Sequence, residues 1–225
     1  MARRPPTAIG ITSATAWLIG IAICTPVLVE FCLVGMKESH RMNTEGPWEL
    51  GDLLEGQNLV RDLIARGGSL HQVLDTLLRV IQLQCPGMFA SILLLDPDGI
   101  HVRHGGAPDL PESYVRAIDG LSIGPQAGSC GTAAFTRKPV IVGDIATDPL
   151  WNDYRALALE NDLRACWSTP IFDSEGRVLG TFAMYFRAPG LPNQSHLKLI
   201  DISTHIAAIA ITKHRAEEES RRLGR

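Results

Sequence analysis

At 225 residues the chain has room for one substantial domain with extensions, and its length alone does not require two cores. A formal net charge of −3 with 20% charged residues leaves no basic field able to hold a nucleic-acid backbone, so nucleic acid is not an expected partner. The five cysteines, at positions 24, 32, 85, 130 and 166, form neither CxxC pairs nor a dense disulfide framework, which fits a reducing compartment and speaks against zinc. His196, His205 and His214 recur at a spacing that scatters them around a helix, and His101 and His104 fall on opposite sides of a strand. All five read as solvent-facing.

Residues 14–36, ATAWLIGIAICTPVLVEFCLVGM, are long enough to cross a bilayer. Glu30 near the middle opposes insertion by about 3 kcal/mol, close to what the apolar residues contribute. Arg3 and Arg4 on one side are matched by Lys37 and Arg41 on the other, so flanking charge sets no orientation. Two expectations stand: a helix anchoring a cytoplasmic domain to the inner membrane, or a start of translation at Met36 or Met42 that leaves residues 1–41 as upstream sequence.

Further along, LGDLLEGQNLVRDLIARGG carries Leu53, Leu54, Val60, Leu63 and Ile64 at helical spacing, and Gly67-Gly68 ends it. Ser69 is a predicted cap for the next helix, LHQVLDTLLRVIQLQC, closed by Pro86-Gly87. MFASILLLDPDGIHVRHGG reads as a hairpin turning at Asp96–Gly99. Residues 107–128 read as a connector with a helical piece at ESYVRAI. Ser129 is placed to cap a short helix from Cys130 to about Thr136, and PVIVGDI is a strand. Residues 147–163 form a loop with one or two helical turns, carrying Trp151 and Tyr154. RACWSTPIFDSEGRVLGTFAMYF is a second hairpin, turning at Asp173–Gly176, whose return strand is apolar on both faces and therefore central. A long helix follows from about Gln194: Leu197, Ile200, Thr204, Ala207 and Ile211 have the seam spacing of a coiled coil, with Ile202, Ile206 and Ile209 on an adjoining face. The charged residues 213–225 extend it.

This order of elements, with the strings GSCGTAAFTRKPVIVGDIATDPLW, LRACWSTPIFDSEGRVLGTFAMYF and IDISTHIAAIAI, resembles the GAF domain of bacterial signalling proteins over about residues 52–212. It looks most like the GAF modules of sensor histidine kinases and diguanylate cyclases. The resemblance implies an α+β, PAS-like fold: a six-stranded antiparallel sheet with the terminal helices on one face and a small-molecule pocket, or its relict, under loops on the other. No kinase or cyclase motif is present, so a histidine kinase or cyclase partner, and with it two-component or cyclic-di-GMP signalling, is an expectation of the resemblance.

One enzyme family shares this fold, the free methionine-(R)-sulfoxide reductases, which have a cysteine in a string like Cys130-Gly131-Thr132-Ala133. A cysteine in the first turn of a helix has its thiolate favoured by the unpaired N–H groups there. The reductase resemblance implies partner cysteines near Gly120 and Tyr154, whereas Cys166 lies within a strand. Cys130 therefore reads as a packed helix-start residue, with the reductase as the alternative. Covalent bilin attachment resembles a cysteine followed by His, a pair that none of the five cysteines makes, and no cyclic-nucleotide signature is recognisable. No cofactor is assigned.

The expected pocket is bounded by the Cys130 helix, the DPLWNDYR loop and the ACWSTP strand. Its candidate ligand-binding residues are Cys130, Asp144, Trp151, Tyr154, Arg155, Cys166 and Ser168. Trp151 and Tyr154 could form an aromatic lid, although Trp151 and Trp167 also read as core plugs. Cys166 and Ser168 share one strand face and Trp167 takes the other, so only one set faces the pocket. The expected function is that of a non-catalytic sensory protein, in which ligand occupancy or redox state biases the pairing of terminal helices in a homodimer. A dimerisation module with a filled pocket is the third reading.

Overall fold

Apolar stripes at helical and strand periods generate twelve short elements in the computed structural model, which describes residues 50–224. The apolar stretch 14–36 lies outside the described residues; among those described, no helix is long and apolar enough to cross a membrane. In chain order they are α1 (Leu50–Ala65), α2 (Leu70–Leu83), β1 (Phe89–Leu95), β2 (Val102–Gly106), α3 (Glu112–Ile118), α4 (Gly128–Thr136), β3 (Val140–Val142), a 3-10 turn (Pro149–Trp151), α5 (Arg155–Glu160), β4 (Ala165–Phe172), β5 (Val178–Phe186) and α6 (Gln194–Leu223).

The sheet order is β2-β1-β5-β4-β3, antiparallel at every pairing. The doubly apolar strand β5 is therefore central. Phe182 and Met184 enter a core shared with α1, α2 and α6, while Ala183 and Tyr185 enter a second core on the opposite side. Among the described residues five strands form, not six. The sixth survives as an isolated bridge between His101 and Ser122, with three flanking backbone bonds that include Ile123 N to the Ile100 carbonyl at 2.7 Å. Gly120, at φ 82°, and Pro125, which has no N–H to give a ladder, leave too few extended residues between them for a strand.

Ser69 caps α2 as expected, in a capping box with Gln72. Ser129 does not cap α4. The helix begins at Gly128, Ala127 is its cap residue without a side-chain bond, and the Ser129 hydroxyl donates instead to the Cys166 carbonyl at 3.0 Å. On α6, Ile200, Ala207 and Ile211 are buried in the protein's own core with Leu199, Ile206 and Ala210. The threes-and-fours spacing thus reflects packing against α2 and the sheet, and the exposed large apolar side chains of the helix are Leu197, Ile209 and Leu223. Of the five histidines expected to face solvent, only His205 is exposed, and His101, His104, His196 and His214 are partly buried. His196 is half-buried against Trp167, ring centroids 5.0 Å apart, and His104 is half-buried with neither ring nitrogen partnered.

Candidate functional site

The second core is not completely filled. Between α3, the first turn of α4, the Trp151–Tyr154 segment and the cavity-facing side of β1, β2 and β5 lies a small cavity of about 40 Å³, partly open to solvent. Leu93, Val102, Tyr114 and Ile118 supply apolar wall, and Tyr185, Cys130 and Ser129 supply polar tips. Apart from the ionisable thiol of Cys130, the lining carries no Asp, Glu, Lys, Arg or His.

Gly128 sits at φ 59°, in the left-handed region that favours glycine, and packs beneath the rings of Trp151 and Tyr154, which a Cβ there would meet in ordinary contact at 3.8 Å. Trp151 is 3% exposed, and its Nε1 donates to Ser129 Oγ at 3.1 Å, so it is a fixed wall and not a free lid.

Cys130 lies at the cavity edge, 8% exposed, with its Sγ 3.5 Å from Tyr185 Oη. Tyr185 Oη is in turn 3.2 Å from Ser91 Oγ, and the ring of Tyr114 meets Tyr185 edge-on at 5.8 Å. Cys166 is opposite Tyr185 in the β4–β5 register and fully buried beneath α4. One hydroxyl, that of Tyr185, lies within hydrogen-bond distance of the Cys130 sulfur. The Cys166 thiol, followed by Tyr185, Ser168 and Thr181, holds the Cys130 pKa below its ordinary value against the opposing effect of burial. Burial, reinforced by the adjacent Cys130, pushes Cys166 the other way. Of the pair, Cys130 is the more readily ionised.

The structure therefore brings Cys130, Trp151 and Tyr154 to the cavity lining and leaves the other candidates off it. Asp144 pairs with Arg164 at 3.2 Å and accepts from Ala146 N. Arg155 donates to the Asp148 carbonyl at 3.0 Å and to Asn152 Oδ1 at 2.7 Å. Both charges are used in holding their own loop together. Cys166 and Ser168 share the cavity-facing side of β4, with Trp167 in the opposite core, but α4 covers them. Sequence reasoning missed Tyr114 and Tyr185. The signal for Tyr185 was present: it shares a buried strand face with Thr181, and a buried tyrosine hydroxyl needs a partner. Tyr114 lay in a weakly patterned connector and gave none.

The fold is a two-core α+β sheet domain with a cavity beneath its loops. A family model for the GAF domain matches residues 68–212, more than half of the chain, and the chain belongs to that family. The methyl sulfide methyltransferase-associated sensor of Methanosarcina acetivorans is 39% identical over 163 residues, which make up 72% of this chain and 16% of that protein. This chain thus spans only a small part of that relative's length. Among solved structures, a domain described as belonging to a two-component sensor histidine kinase of Sinorhizobium meliloti 1021 has a TM-score of 0.57 at 25% identity, covering 68% of this chain and 98% of that one. The free methionine-R-sulfoxide reductase of Neisseria meningitidis, solved with its substrate, has a TM-score of 0.58 at 17% identity, covering 73% and 89%, a likeness of fold alone.

Proposed function

We propose that this protein is a sensory GAF module that binds a small uncharged molecule in the cavity beside Cys130 and passes occupancy to a signalling partner through its terminal helices, as a non-catalytic homodimer. The observation that carries the reading is the cavity itself: concave, largely apolar, aromatic-walled and without an Asp, Glu, Lys, Arg or His on its lining. A sensor named for its association with a methyltransferase among the relatives supports the same reading, as does a histidine-kinase domain of the same fold. A histidine kinase or a diguanylate cyclase is the partner class proposed, in two-component or cyclic-di-GMP signalling.

A route from cavity to helix exists in the packing. Leu93 of β1 lines the cavity, and two residues on, the Leu95 carbonyl accepts from Arg215 of α6 at 2.8 Å. Arg215 also reaches the Leu179 carbonyl at the start of β5. A ligand that binds the two helix arrangements with different affinity shifts their populations by that difference.

The reductase reading is favoured by one observation, the thiol of Cys166 beside Cys130. It is opposed by another: free methionine sulfoxide is a zwitterion, and the cavity lining offers no Asp, Glu, Lys, Arg or His to its ammonium or carboxylate groups.

Native mass spectrometry of the full chain, followed by denaturation to release bound molecules, tests the proposal. The expected result is a dimer carrying a neutral compound, and a thermal midpoint raised by phenol or indole but not by methionine sulfoxide. Turnover of methionine sulfoxide with a dithiol reductant would replace the sensor by the enzyme. An empty dimer that none of these compounds stabilises would leave a dimerisation module.

A further inference from the structure

We propose that Cys130 and Cys166 form a dithiol switch, in which a hydroperoxide entering the cavity oxidises Cys130 and Cys166 closes the disulfide. The inference rests on the cavity proposed above as the sensing site, and it adds a modification chemistry to that site.

Three observations place the two cysteines on facing, packed elements. The first turn of α4 is bound to β4 at this point, because Ser129, adjacent to Cys130, donates to the backbone carbonyl of Cys166 at 3.0 Å. Cys130 Sγ lies 3.5 Å from the hydroxyl of Tyr185, the cross-strand partner of Cys166. Both cysteines belong to the same buried cluster.

The third-party groups around them are otherwise unexplained. Ser168 Oγ and Thr181 Oγ1 are fully buried on the same side of the sheet, and neither has a hydrogen-bond partner. Burying a hydroxyl unsatisfied costs about 1–3 kcal/mol. Both lower the pKa of Cys130, so its ionised form would offer an acceptor to hydroxyls that otherwise have none. Cys85 makes the contrast. It packs in the opposite core with its Sγ 3.5 Å from His196 Nε2, and burial pushes its thiol up.

The chemistry balances without a metal or cofactor. The Cys130 thiolate attacks one peroxide oxygen; the S–O bond forms as the O–O bond breaks, and the leaving oxygen departs as water or alcohol after taking a proton. Cys130 is then a sulfenic acid, oxidised by two electrons. The Cys166 sulfur attacks the Cys130 sulfur, the S–S bond forms, the S–O bond breaks, and the hydroxide leaves as water with the Cys166 proton. A dithiol reverses the bridge by exchange. The bridge ties α4 covalently to β4 and removes the thiol from the cavity edge.

Access differs usefully between the two sulfurs. Cys130 lines a cavity partly open to solvent, which a hydrogen peroxide molecule can enter, whereas Cys166 is 0% exposed and reacts only with what Cys130 has become.

The test uses the full chain, reduced, treated with one equivalent of hydrogen peroxide, alkylated and mapped by peptide mass spectrometry. The expected product is a Cys130–Cys166 linked peptide, lighter by two hydrogens and restored by dithiothreitol, with Cys130 consumed roughly tenfold faster than Cys85. Cys166→Ser is expected to stop at the sulfenic acid of Cys130, trapped by dimedone. Should that variant fold poorly, dimedone added to the wild-type protein is expected to intercept the same species and suppress the bridge. Oxidation of Cys85 ahead of Cys130, or oxidation of Cys130 with no linked peptide, overturns the proposal. Ligand retention is read separately: a chain that keeps a small molecule yet forms no bridge sinks this inference and leaves the sensing cavity standing. A chain that bridges but binds nothing does the opposite.

Discussion

Trp151 Nε1 donates to Ser129 Oγ at 3.1 Å, which ties the segment roofing the cavity to the helix that begins at its edge. Ser129 passes the connection on to the Cys166 carbonyl, so roof, helix and sheet share one buried chain of hydrogen bonds. Ser129→Ala leaves the indole N–H buried without an acceptor. The expected cost is about 2 kcal/mol, read as a melting temperature lower by about 4 to 8 °C. Trp151→Phe removes donor and need together, and is expected to cost less than Ser129→Ala if the hydrogen bond, and not the ring volume, is what holds the roof.

The ionisation of Cys130 gives a pH signature. Its folded pKa is lowered from 9.0 to about 7, by the Cys166 thiol first and then by the surrounding hydroxyls. The ultraviolet thiolate band of the wild-type protein minus that of Cys130→Ser is expected to titrate with a midpoint near this value, not near the ordinary one. A depressed acid pKa stabilises the fold above the unfolded pKa and loses that contribution as pH falls through the folded one. The stability advantage of wild type over Cys130→Ser should therefore grow between about 7 and 9 and shrink below. Cys166, shifted upward, works against stability above its own ordinary value in both proteins. Urea melts across this pH range measure the difference directly.

How much of this was legible beforehand depends on the kind of information each residue carries. Strand parity is local, so the split of Cys166 and Ser168 from Trp167 and the central place of β5 could be read from alternation alone. The capping box of Ser69 and Gln72 is equally local. Asp144 and Arg155 lie off the cavity lining; a charge near a loop can serve a ligand or the loop's own backbone, and only the folded loop shows which groups it meets. The same holds for Ile200, Ala207 and Ile211, whose spacing suits a partner helix or the home sheet equally well. That Cys166 stands against Cys130 depends on where α4 lands on β4, a contact between residues 36 positions apart that no periodicity encodes.

Gly180 sets the approach of the two central strands. A Cβ at this position would fall 2.0 Å from the Leu93 carbonyl oxygen, a backbone atom that cannot turn aside. Gly180 pairs with Leu94 in the register, and Leu93 lines the cavity, so the strain would reach both the core and the site. Gly180→Ala is expected to destabilise by about 3 kcal/mol or to prevent folding. Soluble yield and a thermal melt followed by circular dichroism decide it; a melting temperature unchanged from wild type would mean that β1 and β5 are not held at this spacing.

The two faces of α6 make opposite predictions. Ile206 is 3% exposed, packed in the core against the sheet, and truncating it to alanine is expected to cost about 2–5 kcal/mol whatever the oligomeric state. Ile209 is 48% exposed and Leu197 43%, so their apolar surface contributes little to the fold of one chain. If the terminal helices carry the homodimer, Ile209→Glu buries a charge at the seam and shifts the protein to monomer at equal concentration while its far-ultraviolet spectrum stays that of a folded chain. Sedimentation velocity on both variants separates the cases. A dimer that survives Ile209→Glu and Leu197→Glu together would move the dimer contact off this face of α6, and with it the proposed path from the cavity to the partner.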